Sequence, residues 1–285
     1  MAQIKSTPDK DEQYRGPFKR LRKAAKQALD QKPVSVVSKK EAPPSGDKHD
    51  YMSYSRYWWP DPDSPDGLPY IRKDGKVNRP LVNRGDRNAI GELVDNVVSL
   101  SLANYLLDDK DAGARAKLCL KVWFLDESTR MNPHLKYAQA VPGKSEGRGV
   151  GIIDSRGFIW MLDAVELLHA DGLLDEQEMV GLREWFSRFL DWLMTSPLAK
   201  EERGKENNHG SWFAAQASRI ALFVDRQDIA REIATEVLDR RIDSQIDSEG
   251  KQAEELARTQ PLHYSLFNLA ALTVVAIFLA AAESK

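Results

Sequence analysis

The sequence predicts an all-α fold: an incomplete (α/α) toroid of antiparallel helical hairpins with long functional loops at one end. Three observations lead there. Apolar residues recur at helical spacing in one segment after another, alternating runs of the strand type are few, and the connections alternate between short and long. Short links, "DDKDAG", "ADGLLDE" and "VDRQ", join helices in pairs, whereas long ones cover 126–156, 195–208 and 247–261. Tight turns make antiparallel neighbours. Hairpins stacked side by side then place short turns at one end and long loops at the other, and loops on a rigid scaffold are where function concentrates.

Taken in order, an amphipathic pattern predicts a first helix over 14–29. The stretch "KPVSVVSKKEAPPSGDKHD" that follows is too rich in Pro, Ser and charge for regular structure. Residues 1–48 therefore read as an N-terminal helix and polar linker, and 49–285 as the main domain. Further helices are expected over 90–107, 112–125, 157–169, 175–194, 209–224, 227–246 and 262–282. The last contains the most apolar run, "SLFNLAALTVVAIFLAAAESK", interrupted by Asn268 and Thr273, and reads as a buried helix rather than a membrane anchor. The opening "MAQIKSTPDKDEQYRG" is polar throughout and does not resemble a signal peptide.

Composition narrows the function classes. Forty-one basic residues against 43 acidic give a formal net charge of -2, so no overall field points to nucleic acid or an anionic membrane. An acidic ligand has to be met by local charges. Cys119 is the one cysteine, which excludes an intrachain disulfide and a multi-cysteine metal site. No His-Glu-x-x-His spacing occurs, and "DPDSPDG" lacks the final Glu of a hand-type calcium loop, so no metal and no cofactor are expected.

The most informative stretch is "ENNHGSWFAAQ" from Glu206, where a charged loop becomes a helix. One asparagine is enough to cap the helix. A second amide beside it, with His209 and a glycine, exceeds what a cap needs. Together with this stretch, three others lie in irregular segments dense in aromatic and polar groups. "HDYMSYSRYWWPDPDSPDGLPYIRKDGKVN" begins at His49, "NPHLKYAQAVPGKSEGRGVGIIDSRGF" at Asn132 and "EELARTQPLHYSLFNL" at Glu254, with "NNHGSW" between the last two.

In this order the motifs resemble the alginate lyase family, helical-toroid lyases that cleave uronic-acid chains by β-elimination. The resemblance covers about 49–269 and makes 49–285 an alginate-lyase-like catalytic domain. The chain ends soon after Tyr264, so the toroid is expected to be incomplete. An Asn-His pair opening a helix, followed downstream by an Arg and a Tyr, implies Asn208, His209, Arg258 and Tyr264 as the catalytic set, with the loop around 57–78 as a lid. Tyr57, Tyr70, Arg72, Tyr137, Gln139, Arg156, Trp212 and His263 are the expected substrate-binding residues. Arg56, Lys73 and Arg148 are further cations for flanking carboxylates. Of Trp58 and Trp59, one is expected in the core.

The chemistry explains those residue types. A C5 proton beside a carboxylate is very weakly acidic, and donors aimed at that carboxylate stabilise the charge that develops on it. Asn208 can donate an amide hydrogen, and Arg258 a two-pronged charge-assisted pair. His209 suits a base or a cationic neutraliser. Tyr264 suits a donor to the departing oxygen, and could act as both base and acid were Arg258 to lower its pKa. Each has a plainer alternative: Arg258 paired with Glu254 or Glu255, and Tyr264 as a core aromatic. The implied partner is an acidic polysaccharide, mannuronate-type alginate foremost, acted on by a secreted or periplasmic monomer. Two rivals stay open: a toroid glycoside hydrolase, with Asp61, Asp63, Asp66 and Asp154 as candidate acids, and a noncatalytic uronate-binding protein.

Overall fold

The structure is a computed structural model and describes residues 12–283. Most of the polar opening stretch, 1–11, lies outside the described residues. The chain is mostly helical, as its periodicity predicts. Helices α1 (Glu12–Asp30), α2 (Arg79–Val82), α3 (Arg87–Leu107) and α4 (Lys110–Leu120) are followed by a wide turn at Lys121–Leu125. Then come α5 (Phe158–Ala170), α6 (Glu176–Thr195), α7 (Pro197–Arg203), α8 (Asn208–Phe223) and α9 (Gln227–Glu236). A second wide turn, Val237–Arg241, leads into α10 (Ile242–Gln245), and α11 (Ala253–Leu256) and α12 (Pro261–Glu283) complete the series.

Local chemistry sets several of these boundaries. Asp175 starts α6 with a capping box, its carboxylate taking the Glu178 N–H while the Glu178 side chain takes its own. Asp109 caps α4 by accepting from Ala112 N at 3.0 Å. Asp108 closes α3 in the left-handed region at φ 55, a conformation that Asp tolerates better than most residues.

At the centre lies α8, packed against α5, α6, α7, α9 and α12. Its sequence permits this. Ala214, Ala215, Ala217 and Ala221 let neighbouring helices approach closely, and Trp212, Phe213, Ile220 and Phe223 fill the gaps between them. Its one buried cation, Arg219, is neutralised by Asp163 at 2.9 Å and Glu166 at 3.0 Å. A cluster of edge-on aromatics, Phe124, Phe158, Trp185, Phe186 and Phe189, packs the core beside it.

Two pairings depart from the all-helical reading. β1 (Met52–Tyr54) runs parallel to β4 (Tyr137–Ala140) with a register shift between Met52 and Tyr54. β2 (Trp58–Trp59) pairs antiparallel with β3 (Ile71–Arg72). Strands of two to four residues are too short to leave an alternation in the sequence. The linker after α1 is irregular apart from one turn at Val36–Ser38. It is nevertheless anchored: buried Lys39 donates to the Val36 and Lys48 carbonyls and pairs with Asp86 at 3.1 Å.

The expectation of a buried last helix holds on one face only. Asn268, Ala271, Leu272 and Val275 are buried, whereas Leu262, Leu266, Leu269 and Ile277 are exposed. α8 and α9 cover one side of α12, and the sequence is apolar all round. Residues 261–278 are long and apolar enough to cross a membrane by length and composition, but the first turn of that stretch carries Tyr264 into the cleft described below.

Candidate active site

A cleft of about 780 Å³ lies where the N-terminus of α8, the start of α12, the lid hairpin and the loop before α5 meet. Asn208, His209, Arg258 and Tyr264 all line it. Asn207, Arg56, Tyr57, Trp58, Arg72, Arg87, Gln139, Arg148, Arg156, Lys205, Glu255 and His263 complete most of its wall.

The two asparagines divide their work. Asn207 caps α8, its side-chain oxygen accepting from His209 N at 3.0 Å. Asn208 is buried and turned toward Glu255, donating from its backbone N at 2.6 Å and from Nδ2 at 2.9 and 2.8 Å to the two carboxylate oxygens. These oxygens are too close together to take both hydrogens of one amide nitrogen, so one Nδ2 hydrogen remains for another acceptor. His209 lies 2.6 Å through Nδ1 from Oε1 of Glu202, a carboxylate buried at the end of α7. A carboxylate can only accept, so the neutral ring carries its proton on Nδ1 and keeps a lone pair on Nε2.

Across the cleft, Arg258 donates from Nη2 to the Tyr264 hydroxyl at 2.9 Å, and its guanidinium carbon stands 3.9 Å from the Tyr264 ring centre. Pro261 opens α12 between them, folding the loop back so that residues six apart touch. Arg258 is not paired with Glu254 or Glu255 as the plainer reading had it. It meets Asp74 of the lid at 3.5 Å, and Thr259 donates to the same carboxylate at 3.4 Å. The lid makes a second contact through Tyr57, whose hydroxyl is 3.3 Å from that of Tyr264.

The condition for Tyr264 to act as both base and acid, a pKa lowered by Arg258, is not met. Burial pushes it up, the Tyr57 hydrogen bond adds to this, and Arg258 offsets only part, so the net direction is upward. Tyr264 is therefore a phenol at neutral pH. Burial, then Arg72, lowers Arg148, and burial, then Arg87, lowers Arg156. Among the described residues neither guanidinium has a carboxylate within ion-pair distance. Arg148 instead donates to the Gln139 carbonyl and Ser55, and Arg156 stands over the Phe267 ring. Half-buried guanidinium groups with other cations beside them favour any anion that enters.

Gln139 sits in the left-handed region at φ 50, a strained setting for a residue with a long side chain. Its N–H donates to Ser53 Oγ at 2.8 Å and its Nε2 to Asp154 at 3.1 Å. Asp154 also takes Tyr51 and Ser53 hydroxyls and pairs with Arg87 at 2.8 Å, so one buried carboxylate holds two of the cleft's polar groups from behind.

Not every expected residue reaches the cleft. Tyr57, Arg72, Gln139, Arg156 and His263 line it, but Tyr70, Tyr137 and Trp212 do not. Tyr70 stands at the foot of the lid, where its N–H meets the Pro142 carbonyl. Tyr137 is buried on β4 beneath the Lys136 ammonium. Trp212 lies one helical turn below Asn208, packed 4.9 Å from Phe267. Neither Trp58 nor Trp59 is core; Trp58 faces the cleft between Lys144 and Arg148, and Trp59 donates to the Lys76 carbonyl. Three of the four candidate hydrolase acids are taken up elsewhere. Asp61 and Asp66 accept from lid N–H groups, and Asp154 is buried behind the wall.

Sequence reasoning missed Glu202, Glu255, Asp74, Arg87 and Lys205. Glu202 and Glu255 sit in charged runs, "KEERGKE" and "AEELAR", that look like solvated faces, and only their burial distinguishes them.

The sequence profile of the family described as alginate lyase matches residues 35–285. The chain belongs to the alginate lyase family. It is thus a polysaccharide lyase, and the family implies an acidic polysaccharide as substrate. A crystal structure of an alginate lyase from Bacteroides ovatus superposes with a TM-score of 0.93 at 42% sequence identity, covering 98% of this chain and 73% of that one. Among curated proteins none matches.

Proposed function

We propose that this alginate lyase family member cleaves 4-linked polyuronate, mannuronate-type alginate foremost, by β-elimination in the cleft between α8 and α12. The observation that carries the reading is convergence. Asn208, His209, Arg258 and Tyr264 meet on one cleft whose wall also holds Arg56, Arg72, Arg87, Arg148, Arg156 and Lys205. A chain of carboxylates fits such a wall, although the protein as a whole is slightly acidic.

In the proposed reaction the C5–H and C4–O bonds break, a C4=C5 double bond forms, and the departing oxygen takes a proton. The free Nδ2 hydrogen of Asn208 and the guanidinium of Arg258 meet the carboxylate, where charge develops as C5 loses its proton. His209, with its Nε2 lone pair held available by Glu202, takes that proton. Tyr264, kept a phenol by burial and Tyr57, gives its proton to O4. Arg258 then stands 2.9 Å from the phenolate that forms and stabilises it.

The lid at 57–78 closes over the substrate through Asp74 and Tyr57, and Trp58 offers a flat face for a sugar ring. A monomer is proposed as the acting unit. The helical pairs are read as a toroid over 49–285, preceded by the helix and linker of 1–48, whose helix packs on α3 and α4, and a polymeric substrate favours a periplasmic or extracellular enzyme. Mass spectrometry of products tests the chemistry: oligomers of the eliminated, dehydrated mass are expected, and products carrying an added water would replace elimination with hydrolysis.

A further inference from the structure

Among the described residues Glu255 makes its carboxylate hydrogen bonds with one residue. Its buried carboxylate takes the Asn208 N–H at 2.6 Å and the Asn208 Nδ2 at 2.9 and 2.8 Å. Among the described residues no Lys, Arg or His lies within ion-pair distance of it. A buried carboxylate without a cation is costly; with Asn207 taking the His209 N–H, Glu255 caps the Asn208 N–H, and its two Nδ2 contacts go beyond what that cap requires. Its placement is informative too. Glu255 lies on α11, three residues before Arg258, while Asn208 precedes His209. The contact therefore joins the segment carrying Arg258 and Tyr264 to the segment carrying Asn208 and His209.

We infer that Glu255 is a positioning residue for the elimination: it fixes the Asn208 carboxamide so that one N–H is spent on Glu255 and the other is aimed into the cleft at the substrate carboxylate. An amide presents an oxygen on one side and a nitrogen on the other, and an acceptor-only partner decides which way round it sits. With the nitrogen turned toward Glu255, its second hydrogen projects away from that carboxylate. Were the amide reversed, its oxygen would meet Glu255 and no hydrogen would be held in place. Glu255 touches neither substrate nor reacting atoms in this account and acts through Asn208 alone. The inference rests on the function proposed above.

The test is a double-mutant cycle. Glu255→Gln keeps the size but puts an amide nitrogen against one of the two Asn208 donors. Its kcat on polyuronate is expected to fall roughly ten- to a hundred-fold, the range for a misplaced reacting geometry, with KM within about twofold. In an Asn208→Ala background the same substitution is expected to change kcat by less than about twofold, because the group it positions is gone. A Glu255→Gln enzyme within twofold of wild type overturns the inference, as does an equal loss in both backgrounds.

Thermal unfolding of each variant is measured first. Should Glu255→Gln not fold, the wild-type protein carries the test by NMR. The Asn208 side-chain hydrogens are expected as two well-separated, slowly exchanging signals, and a freely rotating amide overturns the inference. Failure of the proposed function is distinguishable, since it appears as wild-type protein that makes no unsaturated product from any polyuronate.

Discussion

Replacing Arg258 with lysine keeps the charge and removes the geometry. The guanidinium makes one charge-assisted hydrogen bond to the Tyr264 hydroxyl at 2.9 Å and lies 3.9 Å from the ring centre, a double contact that a point-like ammonium on a flexible stem cannot reproduce. The hydrogen bond is worth about 1.5–3 kcal/mol. The stacking contact adds about 0.5–1 kcal/mol, a conservative value for a contact that keeps some access to water. Together they make about 2–4 kcal/mol, and if that stabilisation is realised as Tyr264 turns to phenolate, kcat falls roughly 30- to 900-fold. Initial rates followed by ultraviolet absorbance of the unsaturated product measure this directly. KM is expected to rise only slightly, because Arg56, Arg148 and Arg156 still draw in the polyanion. A lysine variant within threefold of wild type in kcat refutes the reasoning that Arg258 works through Tyr264.

Further predictions concern pH and packing. Tyr57→Phe removes a hydrogen bond that raises the Tyr264 pKa, so the alkaline limb of the kcat profile is expected to move to lower pH; an unmoved limb counts against Tyr264 as the acid. Asp86 has its pKa raised by burial from 3.8 to about 6, with Lys39 offsetting part. A folded pKa above the unfolded one means that the contribution is present below 3.8 and lost as pH rises through about 6. Asp86→Asn is therefore expected to flatten the pH dependence of stability in that window by at most about 3 kcal/mol, read as urea midpoints relative to wild type. A Cβ on Gly210 would meet the Lys205 carbonyl at 2.0 Å and Arg241 at 2.3 Å, so Gly210→Ala is expected to cost about 1–3 kcal/mol in thermal unfolding and to disturb the neighbouring His209.

Much of the fold was legible because helices carry their signal locally. The periodic segments, Asp175 at the start of α6 and the asparagines before α8 could be read from a dozen residues at a time. The cleft was legible in part for the same reason, since "NNHGSW" and "RTQPLHY" each place two of the proposed functional side chains within a few residues. What could not be read were the partners. Glu202, Glu255 and Asp74 act on residues brought near by packing, and a glutamate in a charged run looks the same whether it ends in water or against Asn208. Trp212 shows the reverse error. Its neighbours in sequence face the cleft, but one turn down the helix the same side of α8 is covered by Phe267. The Tyr264 pKa depended on a balance of burial, Tyr57 and Arg258 that spacing alone does not give.

The most direct test of the central claim is ultraviolet absorbance of wild type and Tyr264→Phe incubated separately with polymannuronate, polyguluronate and glucuronan. The account predicts that wild-type protein generates the conjugated product, fastest on polymannuronate, and that loss of one hydroxyl lowers the rate by at least about a hundredfold with little change in KM. Undiminished product formation by Tyr264→Phe would contradict the proposed acid and with it the assignment of the cleft.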